Sequence, residues 1–247
     1  MKTIRVFGLV AVMTMLFYAC SESTTDVAVE EIIASEEVKS SEITALLGDS
    51  CNFSANINDA DIDGLLLMRE EEKFAHDVYV TLYATHSLPV FNNISKSETA
   101  HTSAILYLIN GFGLEDPYLE GVGNYTNETF TVLYAQLSEQ GKTSVAEALK
   151  VGAFIEEYDI ADLKNRIDAT ENETLKRVYG NLLRGSTFHL KAFSAVLNAM
   201  GESYMPTVIS QEEYDEIRNG NSDDDNSDSS STFVPGTGIC DGTGPNF

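Results

Sequence analysis

From residue 58 to residue 217 apolar side chains return every three or four positions, prolines are few, and strand-like alternation is almost absent. That rhythm confines the segment to helices, because one side of a 3.6-residue repeat must be buried against a neighbour. The punctuation divides it. A first helix is expected from about Asp61 to Tyr83, stopping before Leu88-Pro89, and a second from about Asn92 to Asn110, ended by Gly111 and Gly113. Leu114 to Thr126, with Asp116-Pro117 and glycines nearby, reads as an irregular connection. A shorter helix over about Asn127 to Glu139 breaks at Gly141, and two long ones follow, over about Ser144 to Ala169 and Asn172 to Met200. The expected fold class is all-α: a four-helix bundle with one short accessory helix, flanked by disordered tails.

The buried stripes of these helices are interrupted. On the first, Leu65, Met68, Glu72, Ala75, Tyr79 and Leu82 form a seam with Glu72 in its middle. The second offers Ile94, Glu98, His101, Ile105, Leu108 and Phe112, with Glu98 and His101 central. The third long helix carries Leu149, Gly152, Glu156, Ile160, Leu163 and Ile167, and the fourth carries Leu175, Val178, Leu182, Ser186, His189, Phe193, Val196 and Met200. Each interruption falls near mid-length, so in a bundle all four can meet at one level. An ionised carboxylate in a dry core costs several kcal/mol unless it is paired or metal-bound. Glu72, Glu98 and Glu156 with His101 and His189, and no Lys or Arg on the seams, therefore point to a captured cation. Glu98-x-x-His101 places both side chains on one face a turn apart, the ligand arrangement of di-iron and di-manganese carboxylate bundles. Mixed oxygen and nitrogen donors without thiolate suit Fe, Mn or Zn.

The neighbouring groups divide between ligand and surface. Glu70 and Glu71 read as solvated, although Glu71 borders the arc through Leu67, Phe74 and Val78 and competes with Glu72 as the first-helix ligand. Glu157, nearer Lys150, Ala161 and Lys164, reads as solvated and ranks below Glu156. Asp159 is a candidate supporting partner. His76 reads as a surface residue, and His86 lies near a helix end. Glu-x-x-His by itself is a weak signal, and the last helix has Ser186-x-x-His189, so one carboxylate of the symmetric pattern is missing.

Composition narrows the partners. The 247-residue chain carries 39 acids against 15 bases, a formal charge of −24. Nucleic acid and anionic lipid surfaces, which need Lys and Arg to displace counterions, are excluded, and cations are the natural partners. At 43% hydrophobic residues the chain can still bury a core.

The first residues are expected to be an export signal rather than fold. Met1 to Arg5 is a short basic start, Val6 to Phe17 an apolar run too short for a permanent span, and Ala19-Cys20 resembles a bacterial lipobox. Residues 1–19 thus read as a lipoprotein-type signal peptide, with Cys20 lipidated and the product held at the cell envelope; plain secretion or a periplasmic location is the alternative. Loss of Lys2 and Arg5 leaves a mature charge of −26. Residues 20–57 read as a Ser/Thr/Glu-rich tether, 58–217 as the bundle, and 218–247 as a low-complexity Asp/Ser/Gly tail. Outside the cytosol Cys51 and Cys240 can pair, and neither lies in a thiolate zinc pattern.

Four ordered stretches carry a resemblance: Met68-Arg-Glu-Glu-Glu-Lys-Phe-Ala-His-Asp-Val-Tyr79, Ile94 to His101, Ala148 to Ile160 and Tyr179 to Phe193. Together with Tyr204-x-Pro206 and Glu212-Glu213-Tyr214, they resemble the family called domain of unknown function 2202, a ferritin-like group related in architecture to rubrerythrins and bacterioferritins. The resemblance covers about residues 58–217 and implies a ferritin-like fold. It also implies metal ligands at Glu72, Glu98, His101, Glu156 and His189, with Tyr79 as a supporting tyrosine. Ser186 departs from the pattern, which leaves room for one ion or for an asymmetric pair completed by water or Asp159. The leading expectation is an exported ferritin-like metal-binding protein, which if active performs di-iron or di-manganese redox chemistry such as iron oxidation or peroxide handling. The alternative is a non-catalytic bundle that sequesters metal or serves as an interaction module. Hydrolysis by one ion has the least support, and association into a homodimer is left open.

Overall fold

Helix starts are written into the chain as side chains that replace missing backbone acceptors. Asn58 caps α1 (Asp59–His86) in a reciprocal box with Asp61. Pro89 opens α2 (Pro89–Gly111), where its missing N–H costs nothing. Asn127 caps α3 (Glu128–Lys142), Ser144 caps α4 (Val145–Ala169), Asn172 caps α5 (Glu173–Ala199) and Ser210 caps α6 (Gln211–Asn219). The computed structural model describes residues 51–220, which hold these six helices and no strand. The predicted signal peptide, the lipobox Cys20, Cys240 and most of the tether and acidic tail lie outside the described residues. None of the described helices is long and apolar enough to cross a membrane.

Two expectations are corrected here. Leu88-Pro89 does not separate helices by a long gap: Pro89 is itself the first residue of α2, and a two-residue turn with Ser87 at φ 53° reverses the chain. The segment after Tyr204, expected only as a domain end, contains α6, whose Tyr214 is buried and hydrogen-bonded to Ser194 Oγ at 2.9 Å. At the end of α2, Gly113 takes φ 70° so that Leu114 N can return to Ile109 O at 2.9 Å.

α1 packs on α2 and α4, and α5 packs on α2 and α4, so the four long helices form a ring in the order α1, α2, α5, α4. Consecutive members of the ring run antiparallel. α2 and α4 are diagonal, so the chain between them crosses the bundle, and it carries α3, which lies against α1 and α4. The apolar core falls in two clusters. One contains Tyr79, Leu82, Phe91, Leu149 and Phe193; the other contains Leu65, Met68, Ile105, Leu163, Val178 and Leu182. On each long helix, residues of the two clusters flank the polar positions picked out by the seam spacing.

The crossing segment and the stretch after α5 bury acids that periodicity places outside. Glu70, expected to be solvated, is buried and accepts from Thr126 N at 2.5 Å and Asn127 N at 3.1 Å. Glu157, also expected on a solvated face, is fully buried. It accepts from Thr207 N at 2.6 Å, Ile209 N at 2.8 Å, Val208 N and the Tyr204 hydroxyl. A carboxylate satisfied by that many donors is stable without an ion. Residues 51–57 lie against the bundle: Phe53 meets Tyr107 and Phe112, over Gly111, where a Cβ would come within 2.1 Å of the ring. Cys51 is disulfide-bonded.

Candidate metal centre

Five of the residues singled out from the seams converge. Glu72 from α1, Glu98 and His101 from α2, Glu156 from α4 and His189 from α5 are all buried, with none more than 3% exposed. They form two groups that share Glu98: Glu72, Glu98 and His101, and Glu98, Glu156 and His189. Within each group the donor atoms lie within 4.8 Å of one another, close enough to touch one cation.

The two halves mirror each other. His101 Nδ1 is 2.8 Å from Glu98 Oε2 and 3.3 Å from Glu72 Oε2. His189 Nδ1 is 2.8 Å from Glu98 Oε1 and 3.3 Å from Glu156 Oε2. The imidazoles stack with centroids 5.6 Å apart and planes at 28°. Although Glu98 Oε1 lies this close to His189 Nδ1, it accepts no aligned hydrogen bond, and Glu72 Oε1 also has no hydrogen-bond partner. The histidine and glutamate donors thus hydrogen-bond within each group, while Glu72 Oε1 and Glu98 Oε1 are left over, buried acceptors that a cation could meet.

Burial and charge act on these groups in opposite directions. Desolvation lifts the Glu72 carboxyl to about 7 against the pull of His101, and burial likewise raises Glu156. Glu98 is also desolvated, but two neighbouring imidazoles overcome this and hold it well below the ordinary carboxylate range. Burial alone would depress both histidines. The carboxylates facing them win, raising His101 well above its usual value and His189 to about 9. Both shifts favour protonated histidines beside Glu98, a charge that a divalent ion bound there would take over by displacing protons.

Surrounding groups orient the donors. The Tyr79 hydroxyl donates to Glu156 Oε1 at 2.5 Å. Ser186 Oγ, where a symmetric site would carry a carboxylate, lies between Leu182 O at 3.0 Å and Asp159 Oδ2, while Asp159 Oδ1 is buried without a partner. Two residues escaped the reading of the chain. Ser97 Oγ is 2.9 Å from His189 Nε2 and so sets that ring's orientation; its position beside Glu98 was the available signal. Gly185 makes room for the other ring, since a Cβ there would sit 2.6 Å from His101 Nε2. A glycine inside a long helix costs about 1 kcal/mol relative to alanine, which is its trace in the sequence.

His76 and His86 stand apart from the centre, against Asp77 Oδ1 at 3.1 Å and Gly141 O at 2.8 Å. Glu71 is buried rather than solvated, and neither of its oxygens has a hydrogen-bond partner. It belongs to neither donor group.

Gly185→Ala is expected to weaken cation binding by roughly 10- to 100-fold at the His101 position while leaving the melting temperature within a few degrees. The gain in helix propensity offsets part of the clash, but the ring can only move into the donor cluster. Metal titration of the purified variant beside the unaltered chain measures it; equal affinities would show that the ring has slack.

Comparison with known proteins places the chain in a family. The chain is 47% identical over 162 residues to uncharacterized protein MJ0754 of Methanocaldococcus jannaschii, covering 65% of this chain and 88% of that protein. The crystal structure of hypothetical protein MJ0754 from Methanococcus jannaschii matches with a TM-score of 0.67 at 45% identity, over 68% of this chain and 96% of that one. The profile of the uncharacterized protein domain DUF2202 matches residues 61–221, and the chain belongs to that family.

Proposed function

We propose that this chain is a ferritin-like metal-binding protein whose centre takes a pair of divalent cations, iron or manganese, in a carboxylate-bridged arrangement suited to redox chemistry. The observation that carries the reading is the sharing of Glu98: its two oxygens each lie 2.8 Å from the Nδ1 of a different histidine, and each histidine has its own second glutamate. The crossing of the chain between diagonal helices α2 and α4 supports the ferritin-like assignment, since that family of bundles has one long crossover. Oxygen and imidazole donors fit iron, manganese or zinc.

Such a bridged pair, when bound, supplies one-electron steps toward oxygen or peroxide. The chain's own part is distinct. Glu72 with His101 would hold one ion and Glu156 with His189 the other, Glu98 would serve both, and Ser97 and Tyr79 hold His189 and Glu156 in register. The two apolar clusters bury the layer between them, which strengthens the charge interactions there. Ser186 beside Asp159 makes the halves unequal, and this favours as second reading a bundle that sequesters metal without turnover. Export and lipid anchoring at Cys20 belong to the same proposal, placing the centre at the cell envelope.

Anaerobic titration of the full chain with Fe²⁺ tests it. Saturation at two ions per chain is expected, and no binding beyond an adventitious level overturns it. Exposure of the loaded protein to oxygen then separates turnover from inert storage.

A further inference from the structure

A carboxylate that the centre does not use lies immediately outside it. Glu71 precedes the ligand Glu72 on α1 by one residue, so its side chain is rotated away from the bundle axis, toward α4. It is 3% exposed, and both of its oxygens lack a hydrogen-bond donor. Asp159, across the seam on α4, likewise has its Oδ1 buried without a partner. Arg166 and Asp162 both lie close enough to act on Glu71, but the Arg166 Nε hydrogen-bonds Asp162, and neither Glu71 oxygen receives an aligned hydrogen bond. Leaving so many buried acceptors unmatched is costly unless something else meets them.

What they line is informative. A cavity of about 10 Å³, the scale of a single water or ion, runs between α1 and α4. Glu72, Glu98 and Glu156 of the centre line it together with Glu71, Asp159 and the apolar Phe74, Ala75 and Ile155, and its lining also includes Tyr158, a residue 42% exposed. No Lys or Arg lines it.

We propose that the α1/α4 cavity is the route by which divalent cations reach and leave the centre, with Glu71 and Asp159 as a transit pair that replaces lost hydration oxygens on the way. This rests on the reading of Glu72, Glu98, His101, Glu156 and His189 as a cation site. The pair is a passage rather than a third resident site, because it brings no imidazole and Glu71 falls in neither group of converging donors. A group that eases passage lowers the barrier in both directions and leaves the equilibrium untouched.

The test uses the full chain and Co²⁺ alone, followed by its visible absorption in rapid mixing, with release measured by transfer to a chelator. Glu71→Gln, nearly isosteric, is expected to slow uptake and release by the same factor, about tenfold or more, with unchanged stoichiometry and affinity. Tyr158→Ala, at an exposed position that leaves the core intact, widens the outer end and is expected to raise both rates together. Unchanged rates in both variants overturn the route. A weaker affinity in Glu71→Gln, with release accelerated, overturns the transit role by making Glu71 a ligand. Unaltered protein that takes up no Co²⁺ removes the underlying site reading along with the route, which separates that failure from the other two.

Discussion

Glu98→Gln is expected to leave the chain folded and to abolish binding at both cation positions, whereas Glu72→Gln abolishes binding at one. The difference follows from where the oxygens are. Each Glu98 oxygen faces a different histidine at 2.8 Å, so both donor groups depend on this one side chain. An amide keeps the shape and the packing between the two apolar clusters but carries no charge and can bridge nothing through its nitrogen. Glu72 serves only the His101 group, and the Glu98, Glu156 and His189 group survives its loss. On an Fe²⁺ or Mn²⁺ titration the break at two ions is expected to vanish for Glu98→Gln, with affinity reduced at least 100-fold, and to fall to one ion for Glu72→Gln. Identical behaviour of the two variants would mean that the groups are not linked through Glu98.

The second large effect concerns pH. Without metal, stability is expected to fall as pH rises from about 5 to about 9. Burial raises the Glu72 carboxyl from its ordinary 4.5 to about 7, so its contribution is complete at low pH and lost as pH climbs through that window. His189, raised from 6.5 to about 9 by Glu98 and Glu156 against its own desolvation, loses its contribution over the next part of the range. Glu156, Asp159 and Glu71 are raised as well, chiefly by burial, and act with the same sign. Glu98 is held low and opposes them only on acidification below its ordinary 4.5, outside this window. Bound cation reverses the trend, since it needs its ligands deprotonated and stabilises the folded state more as pH rises. Melting temperatures at pH 5.5 and 8.5 check this. With chelator the higher pH is expected to lower the midpoint by roughly 5–10 °C, and saturating Mn²⁺ is expected to abolish or invert the difference. A chelated protein that melts higher at pH 8.5 would mean these groups do not face one another.

Much of this is legible in the sequence because burial and helical period are the same signal. The spacing of Leu65, Met68, Ala75, Tyr79 and Leu82 locates α1 and simultaneously exposes Glu72 as out of place, and the same holds for Glu98, His101, Glu156 and His189. α6 was not legible, since nine residues with Tyr214 as their one buried side chain give periodicity too little to work on. The burial of Glu70, Glu71 and Glu157 was also out of reach. A helix-by-helix pattern knows only one buried face, while α1 is covered on several sides, by α2, α4, α3 and the crossing segment, and buries every residue from Met68 to Ala75.

Local pattern thus determined the helices before α6, the depth at which polar groups interrupt the long seams, and which residue types gather there, because each depends on a repeat running along a single element. Tertiary structure decided that Glu98 stands between the two histidines, that Ser97 and Gly185 flank the rings, and that Glu157 is met by backbone amides instead of water. Those outcomes depend on the order of helices around the ring and on where irregular segments fold back, and such distances between remote parts of the chain leave no periodic mark in it.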